Sequence, residues 1–592
     1  MVGYMDKKVL IVILLQFLLL HSLVGQTTYI WTGATSSDPT VGSNWQGGIA
    51  PTINGGLLTD NLNINVAVTG NYPTFSNLTI GKSQGPNSKY GSVIVAPGAK
   101  LTLTGKLIIT PTYGSLTVQS NSSSDGLLRF DATAQSSGTS NVELALKGGT
   151  SGSLPVYHYF VPPVQSMSIG NTPTIAETKT ALGITNFSGD LVRFIETAAV
   201  ITKEQGWQFF DNWPGLPPGF TTLTPSQGYN IHLTSDDKIT FKGLLNGAQQ
   251  VFNLSYTSGN VGAGWNLIGN PFPCNYDLNG VAGLGTMVSG ISNTVYYNNN
   301  GGYQYWNVYT NTGSTGGYSD IVPPMTGFFV LVSATGKSLT FPVASKTFSA
   351  SDSRSQHKGL SSMTEDTIFQ KIKLVLRSGS EDDETIVLLS NDATSSFNEH
   401  YDAYKLFNNK SSGPSIFSKL EGINYFMKAV PPPVENQVVV PLELILRQSG
   451  IQTIEVTEFK NLSGVSVKLR QGIYETPLKL GSSYTFNSDP GTYSDFQLVF
   501  NNTTLGTDLQ KYNTSKSWFS HGYLYINFPD EIPVSNSRLI IYDFNGRQLY
   551  TDNNLQVSPA QTIQIPLTLQ HGFYISDIVI NTLHHRSKFV IN

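Results

Sequence analysis

Apolar side chains recur at every second position in short runs along the first part of the chain. Leu62, Ile64, Val66 and Val68 alternate with Asn61, Asn63 and Asn65. Leu78 and Ile80, Val93 and Val95, Leu101 and Leu103, Leu107 and Ile109, and Leu116 and Val118 continue the pattern. A period of two puts alternate side chains on one face, so each run predicts a half-buried strand. Gly or Pro-Gly, as at Pro97-Gly98, separates the runs. Many short strands at near-regular spacing predict a sandwich, or a β-solenoid whose rungs stack, for residues 26–150.

The central stretch, residues 151–345, also reads as β-rich. The run Trp265 to Ile268 ends at Gly269, where Asn270-Pro271 forces a turn. Tyr229 to His232 and Ile239 to Gly243 read as pieces of a hairpin, and Gly327 opens a second aromatic strand, Phe328 to Val330. Lys346 to Met363 is Ser-rich and weakly periodic, which predicts a linker over 346–364. Residues 365–503 carry strand candidates at Ile372 to Leu376, Thr385 to Leu389, Gln437 to Leu446, Gln452 to Val456 and Phe496 to Phe500, and read as a β-sandwich. A second polar linker, Asn501 to Lys516, precedes the last domain, 517–592. There Leu539 to Tyr542 runs into Asn545-Gly546, which predicts a two-residue hairpin turn with both residues at positive φ. Thr562 to Leu567 alternates, Phe573 to Ile580 forms another strand, Thr582 to Arg586 reads as a polar turn, and Lys588 to Ile591 as a last short strand. The fold class is therefore all-β and multidomain.

Lys7-Lys8 followed by the apolar core Val9 to Leu20 reads as a secretory signal peptide over residues 1–25, cut between Gly25 and Gln26. That core is shorter than the ~18 apolar residues of a spanning helix, and no other run approaches this length, so no transmembrane segment is expected. At 592 residues the chain is too long for one core. Only 12% of residues are charged, and the net charge of −4 is scattered without a basic stripe, which argues against nucleic acid as a partner. The single cysteine, Cys274, excludes an internal disulfide; in the turn Pro271 to Asn275 it reads as a packed thiol rather than a nucleophile.

Candidate chemistry is sparse. Gly81-Lys82-Ser83-Gln84-Gly85 matches a nucleophile elbow by letter, but Pro86-Asn87-Ser88 follows where a helix is required. His584-His585 reads as a solvated pair in a terminal turn. Glu381-Asp382-Asp383-Glu384 reads as a solvated hairpin loop, since the spacing of a calcium loop is missing. Asp236-Asp237 sits in a turn and could serve as half of a glycosidase pair only with a partner carboxylate brought close by the fold. No catalytic residue, metal ligand or cofactor is assigned. The aromatic groups are the densest feature: Trp207, Phe209, Phe210 and Trp213, and then Tyr296, Tyr297, Tyr303, Tyr305, Trp306 and Tyr309 among Asn and Gly. Flat rings beside amides suit sugar stacking. The alternative is hairpins packing their rings across strands.

The last domain resembles the C-terminal sorting domain of proteins exported by the bacterial type IX secretion system, in its type A form. The resemblance rests on Asp543, Gly546 and Arg547 after a strand, on Gly572, Tyr574 and Ile575, and on the ending Lys588 to Ile591. The Tyr-Pro-Asn-Pro opening common in that family is absent, and the domain begins near Ser517-Trp518. The run Gly264 to Pro271, with a Gly-Tyr strand before it and a Gly-Phe-Phe-Val strand after it, resembles a recurring module of the same cargo proteins. Asp366-Thr367-Ile368 resembles their short glycosylation sequence. These resemblances imply a Gram-negative source, passage through the periplasm, the type IX machinery as partner, and a place at the outer-membrane surface or outside the cell. They also imply attachment to surface lipopolysaccharide or release.

Two functional readings follow. One is a non-enzymatic surface protein, adhesin-like or structural, with a glycan or a host or cell-surface ligand. The other is a glycan-binding or polysaccharide-degrading extracellular protein. They differ in whether the rings of Tyr296 to Tyr309 line one groove with a carboxylate pair or lie buried.

Overall fold

The computed structural model describes residues 27–51, 57–58, 60–64, 72–131, 135–151, 154–171, 173–211, 219–299, 302–315, 319–349, 369–407, 413–434, 437–503, 516–528, 535–558, 561–580 and 583–591. The expected signal peptide with its expected cut between Gly25 and Gln26, the residues Val66 and Val68, Trp213, and Asp366 to Ile368 lie outside the described residues. The chain is nearly all β and divides into two compact units. One comprises Met1–Pro432, Val438–Leu462 and Lys468–Val499; the other comprises Pro433–Gln437, Ser463–Val467 and Phe500–Asn592.

Of the two folds open for residues 26–150, the β-solenoid is the one formed. Thr28–Ile30, Asn61–Ile64, Gly91–Val95, Gly114–Val118 and Ser140–Leu146 stack in parallel along one face. Thr74–Phe75, Lys100–Leu103 and Leu127–Phe130 form a second parallel face. Leu57–Leu58, Leu78–Ile80, Leu107–Ile109 and Gln135–Ser137 form a third. The alternation read from sequence becomes the in/out alternation of each rung, with Gly91, Val93 and Val95 buried around half-buried Ser92 and Ile94. Each coil then stacks like on like: Leu62 on Val93 on Leu116, and Leu101 on Leu128.

The corners between the third and first faces need glycine. A Cβ on Gly91 would lie 2.5 Å from the Leu58 carbonyl oxygen, one on Gly114 2.1 Å from that of Ile80, and one on Gly138 2.1 Å from that of Ile109. Leu58, Ile80 and Ile109 are themselves stacked in register, so the glycines form one column where backbones of successive coils touch.

Ser140–Leu146 ends the stack. On one edge it pairs in parallel with Gly114–Val118, and on the other it pairs antiparallel with Asp237–Gly243. The expected hairpin of Tyr229 to His232 with Ile239 to Gly243 is therefore not formed. Tyr229–Leu233 instead lies between Tyr157–Phe160 and Phe187–Phe194. Turn residues mark where a strand stops but carry no information about which strand it pairs with. One helix, Ile175–Leu182, was missed by the period-two reading. Its signal is local: Thr174 and Glu177 form a capping box, and Gly183 closes the helix at φ 69°.

In the central module, Trp265–Gly269 pairs antiparallel with Gly327–Leu331, and a five-stranded sheet continues through Thr294–Asn299 and Gly302–Asn307. The first residues read as linker, Lys346 and Thr347, belong to a strand. Lys346–Thr347 pairs with Asn275–Asp277, and Lys346 is 2% exposed. Its ammonium reaches the Phe130 and Gly247 carbonyls and lies 4.2 Å from the centre of the Phe272 ring. Burial lowers this amine to about 8, against the raising effect of Cys274 and Asp131.

The stretch expected as a sandwich is joined by backbone hydrogen bonds into one eleven-stranded sheet. Its middle runs Val438–Leu446, Ser415–Leu420, Ile423–Val430, Glu381–Leu389, Gln370–Ser378, Gly450–Lys460. Glu381–Leu389 and Ile423–Val430 are parallel, a single such step in that run. Lys371 to Leu376 are buried without alternation, so this strand is covered on both faces. Inside lies an ion pair: Lys428 Nζ stands 2.7 Å from Asp402 Oδ2, both side chains fully buried. Lys428 also donates to the Thr394 and Ser396 carbonyls, and Asp402 accepts from the Asn398 and Ala429 amides. Burial raises Asp402, and Lys428 opposes it. The pair clips the 390–402 loop onto the strand Ile423–Val430.

The second unit carries its own core. Lys516–Ser520, Tyr523–Asn527 and Thr562–Pro566 make one antiparallel sheet; Gln548–Val557, Ser535–Asp543, Gly572–Ile580 and Leu583–Ile591 make another. Leu524, Ile526, Leu539, Ile541, Val557, Ile578 and Phe589 are among the side chains buried together. Two readings are corrected. The described part of the stretch Thr582 to Arg586 is not a turn: Leu583–Ile591 is one continuous strand that includes His584 and His585. The Asn545-Gly546 turn is not the two-residue form either, because only Gly546, at φ 81°, is left-handed. Asp543 Oδ1 accepts from the Asn545 and Arg547 amides, and the pairing slips by one residue at Tyr542. The aspartate holds a longer loop with a glycine bulge.

Three outcomes are expected. Gly114→Ala should cost about 1–3 kcal/mol in denaturant unfolding, because the added methyl meets backbone that cannot move aside. Lys428→Met should cost about 3–5 kcal/mol by stranding a buried carboxylate, and Lys428→Met with Asp402→Asn, which removes the charge and keeps an acceptor, should recover part of that loss. The Lys346 amine titrates near 8 when folded and near 10.4 when unfolded, so between these values the unfolded chain binds more protons and wild-type stability rises with pH. The melting temperature of wild type relative to Lys346→Met should therefore rise from pH 8 to pH 10, and a difference that stays constant would contradict this.

Candidate functional site

Most residues singled out from sequence are used structurally. Asn270 of the Gly264 to Pro271 run is fully buried; its amide donates to the Cys274 and Pro323 carbonyls and its oxygen accepts from the Phe272 amide. Gly269 faces Gly327 across the sheet, and the Gly228 amide donates to the Leu267 carbonyl at 3.0 Å. The three glycine-aromatic strands of this module thus converge, and the motif builds a close-packed strand junction. Cys274 is buried, and desolvation pushes its thiol up to about 12, far from a thiolate. Gly81 to Gly85 follows the strand Leu78–Ile80 and leads into a three-residue 3-10 turn, Gly85–Asn87, not the helix an elbow needs.

The acidic dipeptides are also engaged. Asp236 accepts from the Gly148 amide, and Asp237 from Thr185 and Asn186. Burial works to raise Asp237, but these amides hold it below the usual carboxylate range. The run Glu381 to Glu384 is not a loop: it begins the strand Glu381–Leu389, opposite Ser378 to Val375. Among the described residues, no group of three or more His, Cys, Asp or Glu side chains could hold a metal.

The aromatic run divides by strand alternation. Thr294–Asn299 and Gly302–Asn307 form a hairpin with Tyr296 opposite Tyr305 and Val295 opposite Trp306. Val295, Tyr297, Trp306 and Val308 enter one core; Tyr296, Tyr305 and the half-buried Tyr303 and Tyr309 enter another, which they share with Ile386, Tyr401 and Phe426. Trp207, Phe194, Tyr159, Trp265 and Phe329 join that second core, with Phe329 edge-on to Phe194 at 5.2 Å. The rings therefore pack modules together instead of forming one exposed platform. Tyr305 is the main joint: it stacks on Phe426 at 3.9 Å and 10°, and its hydroxyl exchanges hydrogen bonds with the Leu406 backbone.

Beside that joint is a cleft of about 240 Å³, to which Tyr303, Tyr305, Arg377, Asp382, Asp383, Glu384, Lys405 and Thr457 contribute. The aromatic and acidic runs, some eighty positions apart in sequence, meet here. Their carboxylates are occupied. Arg377 bridges Asp382 at 3.1 Å and Glu455 at 3.0 Å. Lys405 lies 2.6 Å from Asp383, and Glu384 accepts from the Thr315 amide and hydroxyl at 2.9 and 2.8 Å. Burial raises Asp383, offset by Lys405. The cleft satisfies part of each reading: rings and carboxylates share a groove, yet most of the rings are buried and the acids are paired. Thr457 was not singled out. It is the extra residue of a β-bulge, since Lys373 pairs with Glu458 and Leu374 with Val456. Such a bulge redirects a side chain, and nothing in the local sequence marks it.

No curated protein matches the chain. Two solved structures share partial likeness. The adhesin domain of Epf from Streptococcus pyogenes is 9% identical over 39% of this chain and 92% of its own, with a TM-score of 0.11. The BSP domain of a biofilm-associated protein is 11% identical over 76% of this chain and 96% of its own, also with a TM-score of 0.11. At such scores neither bears on the fold or the function. A family model described as "Domain of unknown function (DUF8693)" matches residues 30–500. Because that match spans most of the 592 residues, the chain belongs to the DUF8693 family.

Proposed function

We propose that this chain is an exported, non-enzymatic protein of the cell surface or extracellular space, adhesin-like or structural. In this reading residues 517–592 carry it through the type IX machinery of a Gram-negative cell, after which it is attached to surface lipopolysaccharide or released. The observation that carries the reading is the separateness of the C-terminal unit. Residues 516–591 have their own core and two antiparallel sheets, beyond residue 500, where the family match ends. A detachable address needs that independence. Within it Asp543, Gly546 and Arg547 build the bulged hairpin turn, and the Tyr574 hydroxyl donates to the Gln570 carbonyl at 2.6 Å. The residues behind the resemblance thus have defined places in a small sandwich.

The adhesin-like part of the reading rests on how the first unit uses its polar groups. Its prominent carboxylates cap turns or hold cations, at Asp237, Asp383, Glu384 and Asp402. Polysaccharide cleavage needs a free acid and a free base or nucleophile on either side of a bond, and these four groups are committed elsewhere.

Removing residues 517–592 should leave the protein in the periplasm of a type IX-competent host, and fusing those residues to a periplasmic reporter should send the reporter to the surface. Fractionation and surface protease shaving would check both. Export of the truncated chain at wild-type levels would refute the address.

A further inference from the structure

We propose that the cleft beside Tyr305 binds one neutral sugar ring, as a terminal or branching hexose of a larger glycan. This deepens the adhesin-like reading and rests on it for its biological setting, though the binding itself does not depend on export.

The charges in the cleft favour a neutral ligand. Each cation already has carboxylate partners, Arg377 with Asp382 and Glu455, and Lys405 with Asp383. A charged ligand would have to compete with these partners: separating Lys405 from Asp383, whose side chains are nearly buried, is costly, while the exposed Arg377 pairs contribute little. A polyhydroxylated neutral ligand needs no such separation. Ion-paired carboxylate oxygens keep lone pairs, and a guanidinium has five N–H donors, so both sets can still bond hydroxyls without separating. The pairs then hold the polar groups in place before a ligand arrives.

One polar atom in the lining is left over. Thr457 Oγ1 is buried without a hydrogen-bond partner among the described residues. A buried polar atom without a partner is costly, so its place beside the cleft calls for a ligand or solvent to satisfy it. Thr457 is held there by the bulge between Val456 and Glu458. The half-buried Tyr303 adds an aromatic surface for the apolar face of a sugar. The volume of about 240 Å³ corresponds to roughly eight waters at liquid density, the scale of one ring and not of an oligosaccharide.

The test uses the purified full chain and saturation-transfer NMR with calorimetry. The probes are the methyl glycosides of glucose, galactose and mannose, with N-acetylneuraminic acid and glucosamine as charged counterparts. Saturable binding of at least one neutral glycoside is expected. Thr457→Val, nearly isosteric, should weaken it about tenfold, close to 1.4 kcal/mol, with a melting temperature at or above that of wild type. Tyr303→Ala should weaken it at least as much. Failure of all three neutral glycosides to bind would overturn the proposal. So would preference for a charged probe, or binding that survives both substitutions. Cells displaying wild type and Thr457→Val separate this site from the broader reading. Equal adherence with sugar binding lost would refute the cleft as the adhesive site while leaving the adhesin-like reading intact. Sugar binding without any adherence would do the reverse.

Discussion

A parallel β-solenoid has an open edge at each end, and the rest of the first unit depends on how one of them is closed. The strand Ser140–Leu146 accepts a parallel neighbour on one side and an antiparallel one on the other. Left unpaired, its outer edge would offer a row of backbone donors and acceptors to any other chain. Pairing with Asp237–Gly243 uses the edge and carries the core onward: Val142 and Leu144 of the last rung lie in one cluster with Phe160, Tyr229 and Phe241 of the central module. Lys346 reinforces this continuity by reaching carbonyls at Phe130 and Gly247 from the far end of that module.

The junction between the central module and the eleven-stranded sheet is built differently, from rings and buried charge. The Tyr296 and Tyr305 hydroxyls accept from the Tyr404 and Leu406 amides. Lys371 and Lys373 are nearly buried, share Glu458, and bond to Thr312 and to the Gly313 carbonyl across the junction. Such groups contribute less to net stability than well-packed apolar residues of the same volume, but separating them strands charge. The arrangement therefore fixes one mutual orientation of the two modules. The cleft lies at the margin of this junction, where ring packing gives way to paired charges.

The candidate site was half legible in sequence. The aromatic run and the acidic run were both visible as dense local compositions. Their meeting was not, because it depends on a pairing between strands far apart in the chain. The sharing-out of Tyr296 and Tyr297 between two cores follows from alternation alone, yet only the presence of a layer on each side of the hairpin makes both faces buried. Thr457 had no signal: a bulge is defined by a register mismatch with the partner strand, which one strand's sequence does not contain.

Much was determined by the sequence by itself. Period-two runs located strands between residues 61 and 118 and at Thr562 to Leu567, because alternation acts within a strand and needs no partner. The isolated polar stretches, the absence of a long apolar run after residue 20, and the setting of Cys274 in a turn were likewise local properties. Tertiary structure decided the rest. It chose solenoid over sandwich, since both demand the same alternation and differ only in whether successive rungs stack in parallel. It moved Ile239 to Gly243 from an expected hairpin to the solenoid's edge, and joined the expected sandwich strands into one sheet. In each case the deciding quantity was which backbone edge a strand found free, and hydrogen bonding between edges is the same for every side chain.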